Sequence, residues 1–364
     1  MVKKMLVGYV IDGRHSGIDK YLLGFCDVAY NNGVSLDLLC GSVDPELKAH
    51  LDKMGFGLIA VPSLKNPSGQ YKAIKNIIKN GGYDSAYFNI SEAFNCMGVL
   101  AAHSCKLPTV IVHSHCAGVD RANKYVRAVR TFLHKLFRPV VSKKATRRLA
   151  CSDVAGKWLF DRDFEIIYNA VNLDKFAFDE QKRINARAEL GIDENTKVFI
   201  HVGHFCYQKN NFFLMDVMSE IVKNDSTSVL LAVGNGPDFE AVKAYAKTLG
   251  IQNNVKFLGI RSDVDALLCA ADVFLFPSRF EGLSVTCVEA QFSGLYCVFS
   301  KGISHETELS KKACFLDCDN AKNWSQKALE FAALERSSAQ LKDGVLSKYS
   351  FDNAKAQLLK ILEN

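Results

Sequence analysis

No part of this 364-residue chain offers the roughly 18 or more consecutive apolar residues that a membrane-spanning helix requires, and its mean hydropathy is +0.01. An integral membrane protein is therefore not expected. The apolar start Met1-Val-Lys-Lys-Met-Leu-Val-Gly-Tyr-Val-Ile11 is cut short by Asp12-Gly13, so it reads as a first strand and not as a signal peptide. No two of the 12 cysteines have the two-residue gap of a zinc or redox motif, and most lie in apolar segments as small hydrophobes. A reducing cytosol fits this usage, and secretion is not expected. No Gly-x-Gly-x-x-Gly follows the strand Leu6–Ile11, which argues against an NAD dehydrogenase. Low-complexity linkers and internal repeats are also missing.

Acidic residues are missing from one long stretch. Between Arg121 and Arg148 the chain carries ten Lys and Arg, counting both ends, and no Asp or Glu. Val126, Val129, Leu133, Leu136, Phe137 and Val140 interleave there at helical spacing, which predicts an amphipathic basic helix around 121–148. Residues 1–170 hold 23 Lys and Arg against 14 Asp and Glu, while the remainder holds 22 against 25. The excess basicity thus belongs to the first half. It suits an anionic membrane surface better than nucleic acid, and a plain solvated face is the bland alternative.

A chain of this length, 48% apolar and 23% charged, can bury two cores. Strands near 6–11, 34–40, 57–62, 84–90, 108–113, 147–151 and 165–168 predict one parallel sheet. Those near 197–203, 228–233, 254–258, 273–276, 296–300 and 313–316 predict another. The class is α/β.

The densest motif is Asp272-Val-Phe-Leu-Phe-Pro-Ser-Arg-Phe-Glu281-Gly-Leu-Ser-Val-Thr-Cys-Val-Glu289. A short apolar strand ends at Pro277, which puts Glu281 at the carboxyl end where open α/β sheets bind ligands. A helix starts after Ser284, so amides following Gly282 can face a phosphate. Upstream, the strand Lys197–Gly203 runs into His204-Phe-Cys-Tyr-Gln-Lys209-Asn210, and the strand Ser228–Val233 breaks at Gly234-Asn-Gly236. Either a close ligand or a tight turn explains these two glycines.

This pattern resembles the retaining glycosyltransferases of group 1, or family four. Their fold is GT-B: two Rossmann-like parallel-sheet domains facing across a cleft. The resemblance implies an acceptor-binding domain over 1–168, rejoined by a terminal helix 349–364, and a donor-binding domain over 169–348. It implies that Glu281 touches hydroxyls of the donor sugar and Glu289 the ribose, and that Lys209, beside Asn210, holds the diphosphate. Gly203, Gly234, Gly282, Leu283 and Ser284 belong to the same donor site. His204 stands where the family usually has Arg, and a histidine grips a phosphate less firmly. Arg261, after the strand ending at Gly259, is a candidate for base or phosphate contact, or a surface arginine beside Asp263 and Asp265.

In the first half, Ser16-Gly17 stands where the family has a Gly pair, so Gly17 is expected to provide close approach. His113 or His115, at the end of Pro108–His113, resembles the histidine placed beside the transferred sugar. The implied reaction moves a sugar from a nucleotide-diphosphate sugar, a UDP-sugar by preference, to a glycan or lipid-linked glycan with retention. Front-face attack through an oxocarbenium-like state is implied, with no cofactor and no metal. Three Asp-x-Asp triplets, at 161/163, 263/265 and 317/319, lack the context of a metal site, and Asp263 fits a helix cap. The implied setting is capsular, exopolysaccharide or lipopolysaccharide assembly, in the cytoplasm and on the inner face of the plasma membrane. A GT-B epimerase and a non-catalytic sugar-nucleotide binder are the rival readings.

Overall fold

The computed structural model of the protein describes residues 3–8, 17–169 and 171–363. Asp12 to Ser16, part of the first predicted loop, lie outside the described residues. The chain divides into two compact units: residues 1–119, 123–170 and 351–364 form one, and 120–122 with 171–350 form the other.

In the first unit the strands are β1 (Lys4–Gly8), β2 (Ser35–Cys40), β3 (Gly57–Ala60), β4 (Ser85–Asn89), β5 (Thr109–Ser114), β6 (Arg147–Ala150) and β7 (Glu165–Ile166). They lie in the order β3-β2-β1-β4-β5-β6-β7, all parallel. β1 starts two residues before the predicted Leu6: Lys4 pairs with Ser35 through its backbone while its ammonium reaches Asp37 at 3.0 Å. Helices cover both faces, which is why strands such as β4 are buried at every position. The helix Phe351–Glu363 adds Leu358, Ile361 and Leu362 to the core around Phe25 and Leu149. Gln357 also accepts a bond from the Tyr168 amide at 2.9 Å, which ties this helix to the end of the first unit's main segment.

The second unit's strands are β8 (Val198–Val202), β9 (Val229–Val233), β10 (Val255–Gly259), β11 (Val273–Phe276), β12 (Tyr296–Ser300) and β13 (Ala313–Leu316). Their order is β10-β9-β8-β11-β12-β13, again parallel throughout. All four residues of β11 are fully buried, as its unbroken apolar run requires. Strand order reverses between β8 and β11. A sheet of this kind binds ligands outside the carboxyl ends at such a reversal, so the loops after β8 and β11 hold the informative positions.

Candidate functional site

The loops after β8 and β11 are zipped together. The Arg279 amide donates to the Gln208 carbonyl at 2.8 Å, and Gln208 Nε2 donates to the Phe280 carbonyl at 3.0 Å. The Arg279 guanidinium lies over the Tyr207 ring, donates to the Tyr207 carbonyl and reaches Asn210 Oδ1 at 2.5 Å. Asn210 has φ 57°, a left-handed conformation that a short amide side chain tolerates better than most. The helix Asn211–Asn224 begins there. Asn211 is also buried, accepting from the Cys206 amide and lying 3.3 Å from His201 Nε2. None of Arg279, Gln208, His201 and Asn211 is marked by sequence reasoning. The signal that could have found Arg279 is its place inside Pro-Ser-Arg-Phe-Glu.

At this junction Lys209 Nζ lies 2.7 Å from Glu281 Oε1 and 4.6 Å from the centre of the Phe276 ring. Both side chains are largely buried, at 15% and 8% exposure. Burial opposes the ammonium charge, but the Glu281 carboxylate more than offsets it, and the Lys209 pKa is raised. Cation and carboxylate are therefore held side by side at the sheet's strand-order reversal.

Gly282, Leu283 and Ser284 are buried and lead into the helix Val285–Phe292. Ser284 occupies the N-cap position, yet its side chain makes no cap bond and instead lies 2.9 Å from the Thr286 hydroxyl. This helix start thus keeps its positive end unneutralised by a side chain. Glu289 lies further along the helix, half-buried and engaged with a partner of its own. Gln291 anchors the helix, accepting from the amides of Leu309 and Ser310.

The glycines after β9 have a packing cause. Gly234 has φ 127°, and a Cβ there would meet the Gly203 carbonyl oxygen at 2.0 Å. A Cβ on Gly236 would meet the Phe205 carbonyl at 2.4 Å. The three strand ends are laced by bonds from Gly203 N to Val233 O, Phe205 N to Asn235 O and Gly234 N to Gly259 O. Backbone fills the space that a ligand alone could have claimed. His204 is exposed on this loop.

In the first unit, His113 is fully buried in β5, and His115 follows the strand end with its ring 3.9 Å from that of His113. The Tyr87 hydroxyl lies 2.6 Å from His113 Nδ1 and 2.8 Å from the Tyr21 hydroxyl. Burial depresses both histidines, His115 to about 3 and His113 well below its ordinary value. Gly17 opens the helix Gly17–Asn31, and a Cβ there meets nothing within 4 Å among the described residues.

Residues 182–344 match the family model described as glycosyl transferases group 1. EpsF of Bacillus subtilis is 28% identical over 284 residues, 76% of this chain and 73% of its own. The Escherichia coli UDP-Gal:alpha-D-GlcNAc-diphosphoundecaprenol alpha-1,3-galactosyltransferase is 28% identical over 302 residues, 78% of this chain and 76% of its own. The chain is similar to the glycosyltransferases of group 1, and residues 182–344 carry that family's pattern. Among solved structures, Anabaena HepE in complex with UDP and glucose superposes with TM-score 0.75 at 18% identity over 99% of each chain. That likeness establishes the GT-B fold of two Rossmann-like domains.

Two further positions are otherwise engaged. Arg261 binds both oxygens of Asp263, at 2.7 and 2.6 Å, and Glu189 at 3.1 Å. Asp263 stands at an N-cap position, but its carboxylate serves Arg261 and makes no cap bond. Among the described residues, no group of three or more His, Cys, Asp or Glu is arranged to hold a metal, and no helix is long and apolar enough to cross a membrane.

The basic helix of this glycosyltransferase spans Lys124–Lys144, shorter than the predicted 121–148, because Asn123 caps it and β6 claims Arg147 and Arg148. Its apolar residues do not form one stripe. Val141 is buried and Phe137 packs on the core, whereas Tyr125, Val126, Val129, Phe132 and Leu136 point outward, three of them at 59 to 67% exposure. Much of the positive charge is used internally: Arg130 pairs with Glu92, Arg138 with the Phe160 carbonyl, and Arg147 with Glu165. Lys124, Lys135 and Lys143 remain exposed beside the outward apolar residues.

Proposed function

We propose that this glycosyltransferase moves a sugar from a nucleotide-diphosphate sugar, by preference a UDP-sugar, to a lipid-linked glycan with retention of configuration. The observation that carries this reading is the Lys209–Glu281 pair at the strand-order reversal. An ammonium suits a diphosphate and a carboxylate suits sugar hydroxyls, and in such a donor these two chemistries are directly bonded. A ligand whose diphosphate meets Lys209 can set the sugar bonded to that diphosphate against Glu281. The uncapped helix start at Ser284 adds amides to the phosphate side, and Glu289 serves the ribose.

As the glycosidic bond to phosphate lengthens, negative charge grows on the leaving diphosphate. Lys209 and the helix start stabilise it, which supplies the charge that a metal ion would otherwise provide. The acceptor hydroxyl attacks from the face the leaving group departs, and the departing phosphate oxygen takes its proton. In the first unit His115, partly accessible, is the histidine that meets substrate, since His113 is sealed.

The lipid-linked acceptor is supported by the diphosphoundecaprenol named for the E. coli relative. The outward face of the helix Lys124–Lys144 fits an anionic bilayer on the cytoplasmic side, each lysine near the surface adding about 1 kcal/mol. Capsular, exopolysaccharide or lipopolysaccharide assembly is the setting. The test is incubation with UDP-sugars and a lipid-diphosphate glycan in EDTA. Release of UDP with a product of the donor's anomeric configuration is expected. An inverted product, or epimerised donor formed without acceptor, contradicts the reading.

A further inference from the structure

We infer that Asn89 is a positioning residue that fixes the tautomer of His115, leaving Nδ1 as a hydrogen-bond acceptor for a substrate hydroxyl. The inference rests on the substrate role proposed for His115 and adds a residue to which no motif points. Asn89 is the last residue of β4 and is 1% exposed. Its Nδ2 donates to the Gly8 carbonyl at 3.3 Å. Reversing the amide would set two oxygens against each other, so the orientation is determined by the backbone of β1.

With the amide so oriented, Asn89 Oδ1 lies 2.7 Å from His115 Nε2. A carbonyl oxygen only accepts, so Nε2 carries the proton. A neutral imidazole has one N–H, and Nδ1 is left with its lone pair. Among the described residues Nδ1 has no hydrogen-bond partner, and the ring is partly accessible. His113 shows the opposite arrangement: its Nδ1 is taken by Tyr87, and its Nε2 is buried without a partner.

The neutral form follows from the surroundings. Facing His115 are His113 at 3.9 Å and Tyr21 at 5.1 Å between ring centres, with Tyr87 behind them and Cys151 near Tyr21. None of these carries charge at neutral pH. Asp19, on the same helix as Tyr21, is buried with a partner of its own. Burial then keeps the imidazole uncharged, consistent with its depressed pKa of about 3.

The test is nitrogen NMR of the full chain labelled at histidine, with Asn89→Asp and Asn89→Leu beside the wild type. The wild type is expected to show His115 neutral, protonated at Nε2 only. Asn89→Asp sets a carboxylate against Nε2, so the ring binds a second proton at Nδ1 and becomes a donor. Transfer by Asn89→Asp should then fall about tenfold at neutral pH and recover as pH rises through the new His115 titration, a range in which the wild type is flat. Asn89→Leu, which removes the acceptor, should populate both tautomers. A wild-type ring protonated at Nδ1, or an Asn89→Asp pH profile matching the wild type, overturns the inference. A wild-type ring protonated at Nε2 together with full transfer by His115→Ala upholds the tautomer and overturns the acceptor role, leaving the donor reading at Lys209 intact.

Discussion

Lys209 and Glu281 neutralise one another across 2.7 Å at the ends of adjacent strands, with the Phe276 ring beneath the ammonium. A buried charge that loses its partner is costly, whereas an apolar pair of similar size is not. Lys209→Met and Glu281→Leu should each lower unfolding free energy by roughly 3 kcal/mol, and the double variant should recover most of that loss. Urea denaturation of the four proteins measures the coupling. Additive losses would show that the two charges do not depend on each other.

The same pair separates binding from transfer. Glu281→Gln frees Lys209 from its carboxylate while keeping the site's size, so UDP should bind at least as tightly as in the wild type. Sugar transfer should fall by far more, because the contact to the sugar hydroxyls is weakened. Parallel losses in calorimetry and turnover would contradict a sugar-facing Glu281.

Glycines of the two units should behave differently. Gly234→Ala forces a methyl to 2.0 Å from the Gly203 carbonyl at φ 127°, and should destabilise the second unit by several kcal/mol. Gly17→Ala meets no neighbour among the described residues and should leave the melting temperature within a degree or two. If Gly17 allows close approach of substrate, the Ala variant loses activity while keeping stability. Thermal melts and turnover together decide this.

Four imidazoles held below their ordinary pKa, those of His113, His115, His134 and His201, make the fold acid-sensitive. His115 is held at about 3, His201 at about 4, and His113 well below its ordinary value, all through burial. The unfolded chain takes up protons below about pH 6.5 and the folded chain does not. Stability is therefore fully present above that pH and falls as pH drops toward 4, by about 1.4 kcal/mol per histidine per pH unit. Denaturation at pH 7.5 and 5.5 should show this loss. In His201→Gln the drop should be smaller by about one histidine's share.

The outward face of the helix Lys124–Lys144 predicts salt-dependent vesicle binding. Cosedimentation with phosphatidylglycerol vesicles should weaken with added salt and with Lys124→Glu/Lys135→Glu, and fall with Phe132→Ser/Leu136→Ser. Equal binding to neutral vesicles, or no response to these variants, would contradict a bilayer as occupant.

Much of this architecture is readable from the sequence because doubly covered parallel strands are short unbroken apolar runs, as Val273–Phe276 and Val198–Val202 illustrate. The first strand's start at Lys4 was not readable, since the Asp37 that receives its ammonium lies on a neighbouring strand far along the sequence. The basic helix misled for a similar reason. Spacing alone cannot say that Phe137 turns inward while Phe132 turns out, nor that Glu92, distant in sequence, consumes Arg130 and that Arg147 leaves the helix for β6 and pairs with Glu165. Gly234 and Gly236 were legible as special positions, but their cause, the backbone of Gly203 and Phe205, comes from a neighbouring loop. Asn89 belongs to no motif, and its importance appears only when β1, β4 and β5 place Gly8 and His115 on either side of it.

The central claim, that Lys209 holds the diphosphate of a sugar donor, is tested most directly by titrating UDP and uridine into the wild type and Lys209→Ala by calorimetry. Loss of one charge-assisted bond of about 1.5–3 kcal/mol should weaken UDP about ten- to hundredfold and leave uridine unchanged. UDP bound equally well by both proteins would contradict it.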